Sequence, residues 1–357
     1  MAEAYRGKRV FLTGHTGFKG SWLCEWLLSL GADVTGYSLP PPTDPALFVQ
    51  LGLAPRLEHI EGDVRDGKKL SRAVAEAAPD FVFHLAAQPL VRFSYQEPRE
   101  TYEVNVMGTV NLLEALRSLG KPCAAVMITT DKVYENREWL YGYREEDPLG
   151  GHDPYSSSKA AAEIAIASYR QSFFKAASAP VAVASARAGN VIGGGDWASD
   201  RIVPDCIRSL QKGESIAIRN RQSTRPWQHV LEPLSGYLSL GAFLLARRAE
   251  LAAAFNFGPN LQSNRSVGEL VEQVLKFWPG KAHDESDANA PHEAGRLNLA
   301  TDKAFHALAW TPVWNFEETI EKTVDWYRRT TELAQSDPGI FQTSTRAQIR
   351  AYQERRK

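Results

Sequence analysis

Cysteine is scarce in this chain of 357 residues, which contains only Cys24, Cys123 and Cys206. The three lie far apart, with no CxxC pair and no spacing typical of metal ligands. This pattern excludes a disulfide framework and a cysteine-based metal centre. We therefore expect reduced thiols, a cytoplasmic location and no bound metal.

Long apolar runs and an excess of one charge are also missing. No stretch approaches the roughly 20 apolar residues that cross a bilayer, and residues 1–6 contain no signal-peptide core. Lys and Arg total 41 against 42 for Asp and Glu, so no overall basic field collects nucleic acid or anionic lipid. These absences predict a soluble enzyme that acts on a small molecule, with no membrane or nucleic-acid partner.

The sequence does contain an alternation of short apolar runs with longer amphipathic stretches. This alternation is typical of βα units built around a parallel sheet. The carboxyl ends of parallel strands share one edge, where we expect the chemistry to lie. The runs that read as strands are 10–12, 34–37, 57–60, 81–85, 125–128, 181–184 and 254–258, and those at 34–37, 57–60 and 81–85 read as buried.

The predicted fold is α/β, a Rossmann-like doubly wound parallel sheet with a smaller, interleaved lobe. The dinucleotide-binding domain would span 1–187 and about 225–258, and the substrate lobe about 188–224 and 259–330. Residues 331–357 would form a C-terminal helical tail. Its last part, 347–357, is so polar and basic that we expect a solvated helix or a frayed end.

The first apolar run ends in a glycine-rich turn. Gly14, Gly17 and Gly20 separate it from residues 21–28, which have the apolar spacing of a helix. A strand, a glycine turn and a helix in succession let backbone N–H groups and the positive end of the helix approach a pyrophosphate. Glycine suits any tight turn, so the spacing alone leaves a purely structural turn open.

Tyr155 and Lys159 lie four residues apart in a helical pattern, so both project from one helix face. A nearby ammonium group favours phenolate, so we expect the pKa of Tyr155 to fall from its usual value of about 10. Tyr155 would then remove a proton from an alcohol. A Tyr and a Lys at this spacing also occur by chance on many helices, but the glycine turn upstream favours the functional interpretation.

Together these residues resemble the extended short-chain dehydrogenase/reductase family. The glycine turn, Asp63, the strand end 84–88 (HLAAQ) and the Tyr155/Lys159 pair carry the likeness, which covers most of the chain. Within the family, segment 129–134 (TTDKVY) is similar to the one where nucleotide-sugar 4,6-dehydratases carry their elimination residues. Relatives acting on other nucleotides usually have Glu where this chain has Lys132. Segments 13–22 and 225–230 likewise resemble the branch that acts on CDP-glucose.

The resemblance implies conversion of CDP-glucose to CDP-4-keto-6-deoxyglucose and water. The steps would be oxidation at C4, elimination across C5 and C6, and hydride return to C6. Thr130 would assist Tyr155 and Lys159 at the C4 hydroxyl. Asp131 would protonate the leaving hydroxyl while Lys132 takes the C5 proton. Lys132 is a base only if burial or a neighbouring cation lowers its pKa, and a charged Lys132 that anchors a hydroxyl is the alternative.

The resemblance also implies NAD as the cofactor. Asp63 would accept a hydrogen bond from the adenine amino group, with a turn or N-cap role as the alternative. The acid expected about 20 residues after the glycines is replaced by Ser38, so NADP, with Lys19 holding its extra phosphate, stays open; internal hydride recycling favours NAD. The predicted cofactor-binding residues are Gly14, Thr16, Gly17, Phe18, Lys19, Gly20, Ser38, Asp63, Val64, Leu85, Ala86, Ala87, Tyr155 and Lys159.

A nucleotide diphosphate needs local positive charge in a chain whose charges balance. Arg201 and Arg225 are candidates because a guanidinium group matches phosphate oxygens bidentately. The resemblance adds Asn190, and Arg92 is a further candidate because of its position in the loop 88–92. The alternative is that these arginines are only solvated surface.

Two helices predicted near 102–119 and 155–174 carry more apolar residues than a one-sided helix needs. In the similar family such helices pair across a two-fold axis, which implies a homodimer or a dimer of dimers. Burial within one chain is the alternative.

Two other functions stay open. A nucleotide-sugar 4-epimerase would share the glycine turn and the Tyr/Lys pair but needs no acid and base for water loss, so segment 130–132 argues against it. A noncatalytic dinucleotide sensor would not need to retain Tyr155 and Lys159.

Overall fold

The computed structural model describes residues 2–176, 179–246, 249–286 and 296–356. Its strands are β1 Arg9–Thr13, β2 Asp33–Ser38, β3 Glu58–Glu61, β4 Phe81–His84, β5 Cys123–Ile128, β6 Val181–Ala188, β7 Val191–Ile192, β8 Ile216–Ile218, β9 Thr224–Pro226, β10 Gln228–His229, β11 Ala254–Phe257, β12 Asn264–Ser266 and β13 Ala282–Asp284.

The α-helices are α1 Ala2–Tyr5, α2 Phe18–Ser29, α3 Leu47–Gln50, α4 Gly67–Ala77, α5 Val91–Gln96, α6 Pro98–Tyr102, α7 Gly108–Arg117, α8 Pro154–Phe173, α9 Ile202–Lys212, α10 Leu231–Leu245, α11 Val267–Phe277, α12 Asp302–Leu308, α13 Phe316–Leu333 and α14 Ile340–Arg355. A π-helical turn, Glu103–Met107, joins α6 to α7, and short 3-10 turns lie at Ala54–Arg56, Asp131–Val133, Ala249–Leu251 and Leu261–Ser263.

Seven parallel strands form the central sheet in the order β3-β2-β1-β4-β5-β6-β11. The chain winds outward from β1 to β3 on one side and from β4 onward on the other, and Thr13 of β1 pairs with His84 of β4. The order therefore reverses between β1 and β4, and a ligand crevice opens at the carboxyl ends of such neighbouring strands. The α/β class predicted from the sequence is confirmed.

Side chains of the central strands alternate between two apolar cores, one on each face of the sheet. Val10 and Leu12 join the core that includes α2, α10 and α14, whereas Phe11 between them joins the core of α4, α7 and α8. This alternation follows from the period of two along a strand. Because both faces are covered, the inner strands are apolar throughout.

Strand β11 comes from late in the chain and pairs in parallel with β6, at the end of the sheet opposite β3. The predicted return of the chain to the sheet near 254–258 is thus confirmed as a strand. Three two-stranded pairings, β7 with β10, β9 with β12 and β8 with β13, lie outside the large sheet. The exact division into two domains stays a prediction.

The structure corrects the sequence analysis at two places. Strand β3 was expected to be buried, but three of its four residues are exposed, because it is an edge strand with β2 as its neighbour in the sheet. The expectation of a solvated or frayed end for 347–357 is wrong as well. Helix α14 buries Ile349 and Tyr352, and its Arg346 Nε donates to the buried Glu25 Oε1 on α2 at 2.6 Å.

Within the described ranges, the longest apolar helices still fall short of what is needed to cross a bilayer.

Candidate active site

The glycine turn between β1 and α2 packs so closely on neighbouring backbone that two of its positions have no room for a side chain. Gly14 has φ of 74°, and a Cβ there would lie 2.6 Å from the Ala86 nitrogen. A Cβ on Gly20 would lie 2.1 Å from the Gly14 carbonyl oxygen. Gly17 occupies the N-cap of α2, and no side chain in the described part of the chain caps it. The first N–H groups of α2 are therefore directed toward the crevice, as a pyrophosphate site requires.

The predicted residues around this turn hold one another in place. Thr16 Oγ1 lies 2.8 Å from Ser38 Oγ and donates to the Leu39 carbonyl at 2.9 Å, which joins the turn to the end of β2. On the other side, the Leu85 N–H donates to the Thr13 carbonyl and the Ala86 N–H to Thr13 Oγ1. The ends of β1, β2 and β4 thus line one cradle, with Phe18 and Ala87 partly buried beside it.

Asp63 lies beyond β3, where its carboxylate is engaged within its own turn. Arg65 donates to it from its guanidinium at 2.6 Å and from its backbone N–H at 2.8 Å. This arrangement is the turn role that the sequence analysis kept as an alternative, and contact with adenine stays a prediction. Val64 beside it is buried against Gly108.

Tyr155 and Lys159 lie in the first two turns of α8, and both are buried. Asp153 caps this helix by accepting from the Ser156 N–H at 2.9 Å. Ser94 Oγ accepts from the Tyr155 N–H at 3.1 Å, and Lys159 Nζ donates weakly to the Ile128 carbonyl at 3.4 Å. The helix start is thereby fixed against the end of β5.

The expected depression of the Tyr155 pKa is not found. Burial raises this pKa to about 12, and a hydrogen bond with Thr130 offsets only part of the rise. Burial also lowers the pKa of Lys159 to about 8, so this ammonium is easily neutralised. The spacing of Tyr155 and Lys159 indicates only the effect of the lysine charge, whereas the larger effect of burying both groups depends on the tertiary packing.

Thr130, Asp131 and Lys132 follow β5 and begin a short 3-10 turn. Thr130 Oγ1 donates to Asp131 Oδ1 at 3.0 Å. Burial raises the pKa of Asp131, although Lys132 and Arg225 oppose the rise. A buried carboxyl group with a raised pKa is suited to donate a proton. Lys132 is half-buried next to it.

Several predicted cationic residues converge on this acid. Lys19 projects from the first turn of α2 over the Tyr237 ring, 5.8 Å from its centroid. Burial lowers the pKa of Lys19 to about 8, with Arg201 and Lys159 lowering it and Asp131 raising it. Lys19 therefore faces the catalytic end of the crevice.

The predicted substrate residues divide into an inner and an outer set. Arg201 is paired with Asp196 at 2.8 Å, and Arg225 donates to Ser223 Oγ at 2.6 Å. Asn190 is partly buried next to Gly189, where a Cβ would lie 2.6 Å from Asp131 Oδ2. Arg92 lies outside this group, half-exposed and paired with Asp200 at 3.2 Å.

Polar residues that support the catalytic side chains were not predicted from the sequence. Asn105, in the π-helical turn, donates to Ser158 Oγ at 2.9 Å and accepts from the Gln88 N–H. Glu163 lies one turn after Lys159 and pairs with Arg187 at 3.0 Å. The sequence held one usable signal, an acid four residues beyond Lys159 in an otherwise small and apolar stretch.

Comparison with known proteins gives a consistent result. A family model described as GDP-mannose 4,6 dehydratase matches residues 11–323. The CDP-glucose 4,6-dehydratase of Salmonella typhimurium is 50% identical over 328 residues, which cover 91% of each chain.

Solved structures share the fold. The UDP-glucose 4-epimerase of Thermus thermophilus in complex with NAD is 27% identical, with a TM-score of 0.76 over 90% of this chain and 99% of that one. The dTDP-glucose 4,6-dehydratase of Streptomyces venezuelae with NAD bound is 24% identical, with a TM-score of 0.77 over 90% and 97% of the two chains.

Proposed function

Because the chain belongs to the GDP-mannose 4,6-dehydratase family, we propose that it removes water from CDP-glucose to give CDP-4-keto-6-deoxyglucose. The observation that carries the proposal is the buried acid Asp131, held within one crevice by Thr130 and flanked by Lys132. A simple dehydrogenase or an epimerase has no step that uses such an acid. The 50% identity to a CDP-glucose 4,6-dehydratase supports the choice of nucleotide.

The glycine turn with Gly14, Gly17 and Gly20 fits a dinucleotide, because it presents bare backbone to the crevice. Side chains at Gly14 and Gly20 would collide with neighbouring backbone atoms of the protein. The residues that would hold NAD are those of the cradle with Thr16, Ser38 and the end of β4. NAD, when bound, supplies the hydride acceptor for C4 and returns the hydride to C6. The NAD-bound structures that share this fold support NAD over NADP.

Three side chains of the site then each transfer one proton. The phenolate form of Tyr155, stabilised by the charged form of Lys159 and assisted by Thr130, takes the proton of the C4 hydroxyl and becomes the neutral phenol. The new C4 ketone acidifies the C5 proton, which Lys132 removes. Asp131, whose pKa is raised by burial, gives its proton to the departing C6 hydroxyl. Arg201, Arg225 and Asn190 would hold the sugar diphosphate.

Exposed apolar side chains on the catalytic helix α8 and on the π-helical turn before α7 support a homodimer. Met107 is 49% exposed and Ile164 59% exposed, and α7 packs directly on α8. A second copy would cover these side chains in a four-helix bundle. Light scattering on the wild type and on Ile164→Arg tests this, because the charge should leave a monomer. For the compartment we propose the cytoplasm, supported by three buried, free cysteines.

The function is tested by incubating the purified protein and NAD separately with CDP-, dTDP-, GDP- and UDP-hexoses. Mass spectrometry of the products should show loss of one water from CDP-glucose, without net NADH. In deuterated water the product should also carry deuterium at C5. Conversion of glucose to galactose at unchanged mass would instead establish an epimerase, and no reaction with any sugar despite bound NAD would indicate a sensor.

A further inference from the structure

Beneath the catalytic side chains, and out of reach of substrate, lies a fully buried ion pair between Glu163 and Arg187. The Glu163 carboxylate accepts from Thr129 Oγ1 at 2.5 Å, Ser185 Oγ at 2.8 Å and the Arg187 guanidinium at 3.0 Å. These donors come from the end of β5 and from β6. A single carboxylate on α8 therefore connects the catalytic helix to two strands of the sheet.

The connected segments are the two that carry the proposed chemistry. Glu163 lies one helical turn after Lys159, and Thr129 directly precedes Thr130 and Asp131. The two halves of the site are also joined by the hydrogen bond of Tyr155 with Thr130 and by the weak contact of Lys159 with the Ile128 carbonyl. A shift of Glu163 would thus move Tyr155 and Lys159 relative to the acid.

Arg187 extends the connection to the far side of the turn that carries Lys132. Its guanidinium also donates to Tyr134 Oη at 2.8 Å and to the Glu145 carbonyl at 3.0 Å. Tyr134 in turn donates to Asn256 Oδ1 on β11 at 2.7 Å. The segment from Thr129 to Tyr134 is consequently held at both ends by one buried pair.

We propose that Glu163 and Arg187 are positioning residues for dehydration, which hold the Tyr155–Lys159 helix in register with the Thr130–Lys132 turn and place a fixed negative charge below Lys159. The inference rests on the proposed function. It assigns no contact with substrate or cofactor to either residue.

The electrostatics agree with this placement. Burial alone would raise the pKa of Glu163, but Arg187 and the hydroxyl donors hold it below its usual range.

Lys159 is itself faced by Lys19 on α2, by His84 on β4 and by Glu163. Burial lowers the pKa of His84 to about 3, so it stays neutral. Arg170 on α8 also faces Glu163. Of these groups, Glu163 is the one that raises the pKa of Lys159 and so favours its charged form.

The direct test is the titration of Lys159 by NMR in protein labelled with carbon-13 at the lysine ε-carbon, with Lys159→Met assigning the signal. In Glu163→Gln we expect the pKa of Lys159 to fall by about one unit, because a facing negative charge is lost. Glu76→Gln, an exposed acid on α4, should leave the titration unchanged. An unchanged Lys159 titration in folded Glu163→Gln would overturn the charge role.

The kinetic test uses the same variants. In Glu163→Gln the basic limb of the pH profile of kcat should move down with the Lys159 pKa. At pH 8, kcat should fall about fivefold, as the charged fraction of Lys159 does, while KM for CDP-glucose stays within about twofold. Ser185→Ala removes a hydrogen-bond donor to Glu163 but keeps the carboxylate charge, so the basic limb of its kcat profile should not move. A rise in KM with unchanged kcat would contradict a positioning role.

A folding defect in Glu163→Gln does not leave the inference untested. The double variant Glu163→Gln/Arg187→Gln removes both charges and leaves no unpaired ion in the interior. It should still show a fall in the Lys159 pKa, smaller than in Glu163→Gln because the Arg187 cation is removed as well, and a wild-type titration there would overturn the proposal. If no nucleotide sugar is turned over by the wild type, the proposed function fails, whereas the NMR result stands by itself.

Discussion

Glu163 on α8 and Glu232 on α10 are both fully buried glutamates, but their pKa values shift in opposite directions. Glu163 lies against a guanidinium group and two hydroxyls, and its pKa is held below the usual range. Glu232 accepts from Tyr352 Oη at 2.6 Å and from the backbone of Val313 and Trp314. Burial nevertheless raises the pKa of Glu232 to about 7.

Arg356, also in the described part of the chain, lowers the pKa of Glu232 as well but forms no ion pair with it. The comparison shows that neutral donors and an unpaired cation do not compensate for the burial of a carboxylate, whereas a directly paired cation does. The catalytic edge therefore keeps a fixed charge below Lys159. The region of Glu232, which holds α14 against α10, changes its charge near neutral pH. Substitutions in the first region should act on turnover, and substitutions in the second should act on stability.

The largest effect should come from Asp131, a third buried carboxyl group, which lies at the catalytic edge. Asp131→Asn keeps the shape but removes the proton donor, so kcat should fall by about 10²- to 10⁴-fold. The free energy of unfolding should change by less than about 1 kcal/mol. Product formation and urea unfolding measure the two quantities. Asp325→Asn, on the outer face of α13, serves as the control, and full turnover by Asp131→Asn would refute its role as the acid.

The next effect concerns pH and Glu232. Its folded pKa of about 7 lies above the ordinary value of 4.5, so the folded protein binds one more proton than the unfolded chain between these values. The stability contributed by this proton is complete below pH 4.5 and is lost as the pH rises through 7.

Relative to Glu232→Gln, the wild type should therefore lose about 2 to 3 kcal/mol of unfolding free energy between pH 5 and pH 8, at about 1.4 kcal/mol per unit. Urea unfolding of both proteins at several pH values gives the difference, in which other titrations cancel. A difference that does not vary with pH would mean that Glu232 remains ionised.

The smallest effect should come from Tyr352→Phe. The change removes one donor to Glu232 and should cost about 1 to 2 kcal/mol of stability. Since Tyr352 packs on Trp26 and Trp314 in the apolar core, kcat should stay at the wild-type value. Tyr141→Phe, at an exposed position, controls for loss of a hydroxyl. A fall in kcat with unchanged stability would connect α14 to the active site.

Much of the fold could be predicted because period-two burial and glycine turns are local properties of the sequence. The runs at 81–85, 125–128 and 181–184 are buried strands, since sheet faces are covered on both sides. The same reasoning failed at β3, because the position of a strand at the sheet edge depends on topology. The reasoning also failed at α14, because the helix is mostly polar in sequence although it buries Ile349 and Tyr352 on one face.

The site was predictable where chemistry depends on short spacing. The glycine turn, Tyr155 with Lys159, and segment 130–132 all converge at the carboxyl ends of the strands, as parallel topology requires. The pKa of Tyr155 could not be predicted, because burial is set by elements distant in sequence. Likewise, the pairing of Glu163 with Arg187 joins residues 24 positions apart.

Strand β11 has a consequence for synthesis on the ribosome. Residues 254–257 provide the neighbour for the outer edge of β6, so a nascent chain that has not reached them carries an open strand edge beside Ser185 and Arg187. Open edges pair with other chains. Chains interrupted before residue 254 should therefore aggregate, although every proposed catalytic residue has already been translated.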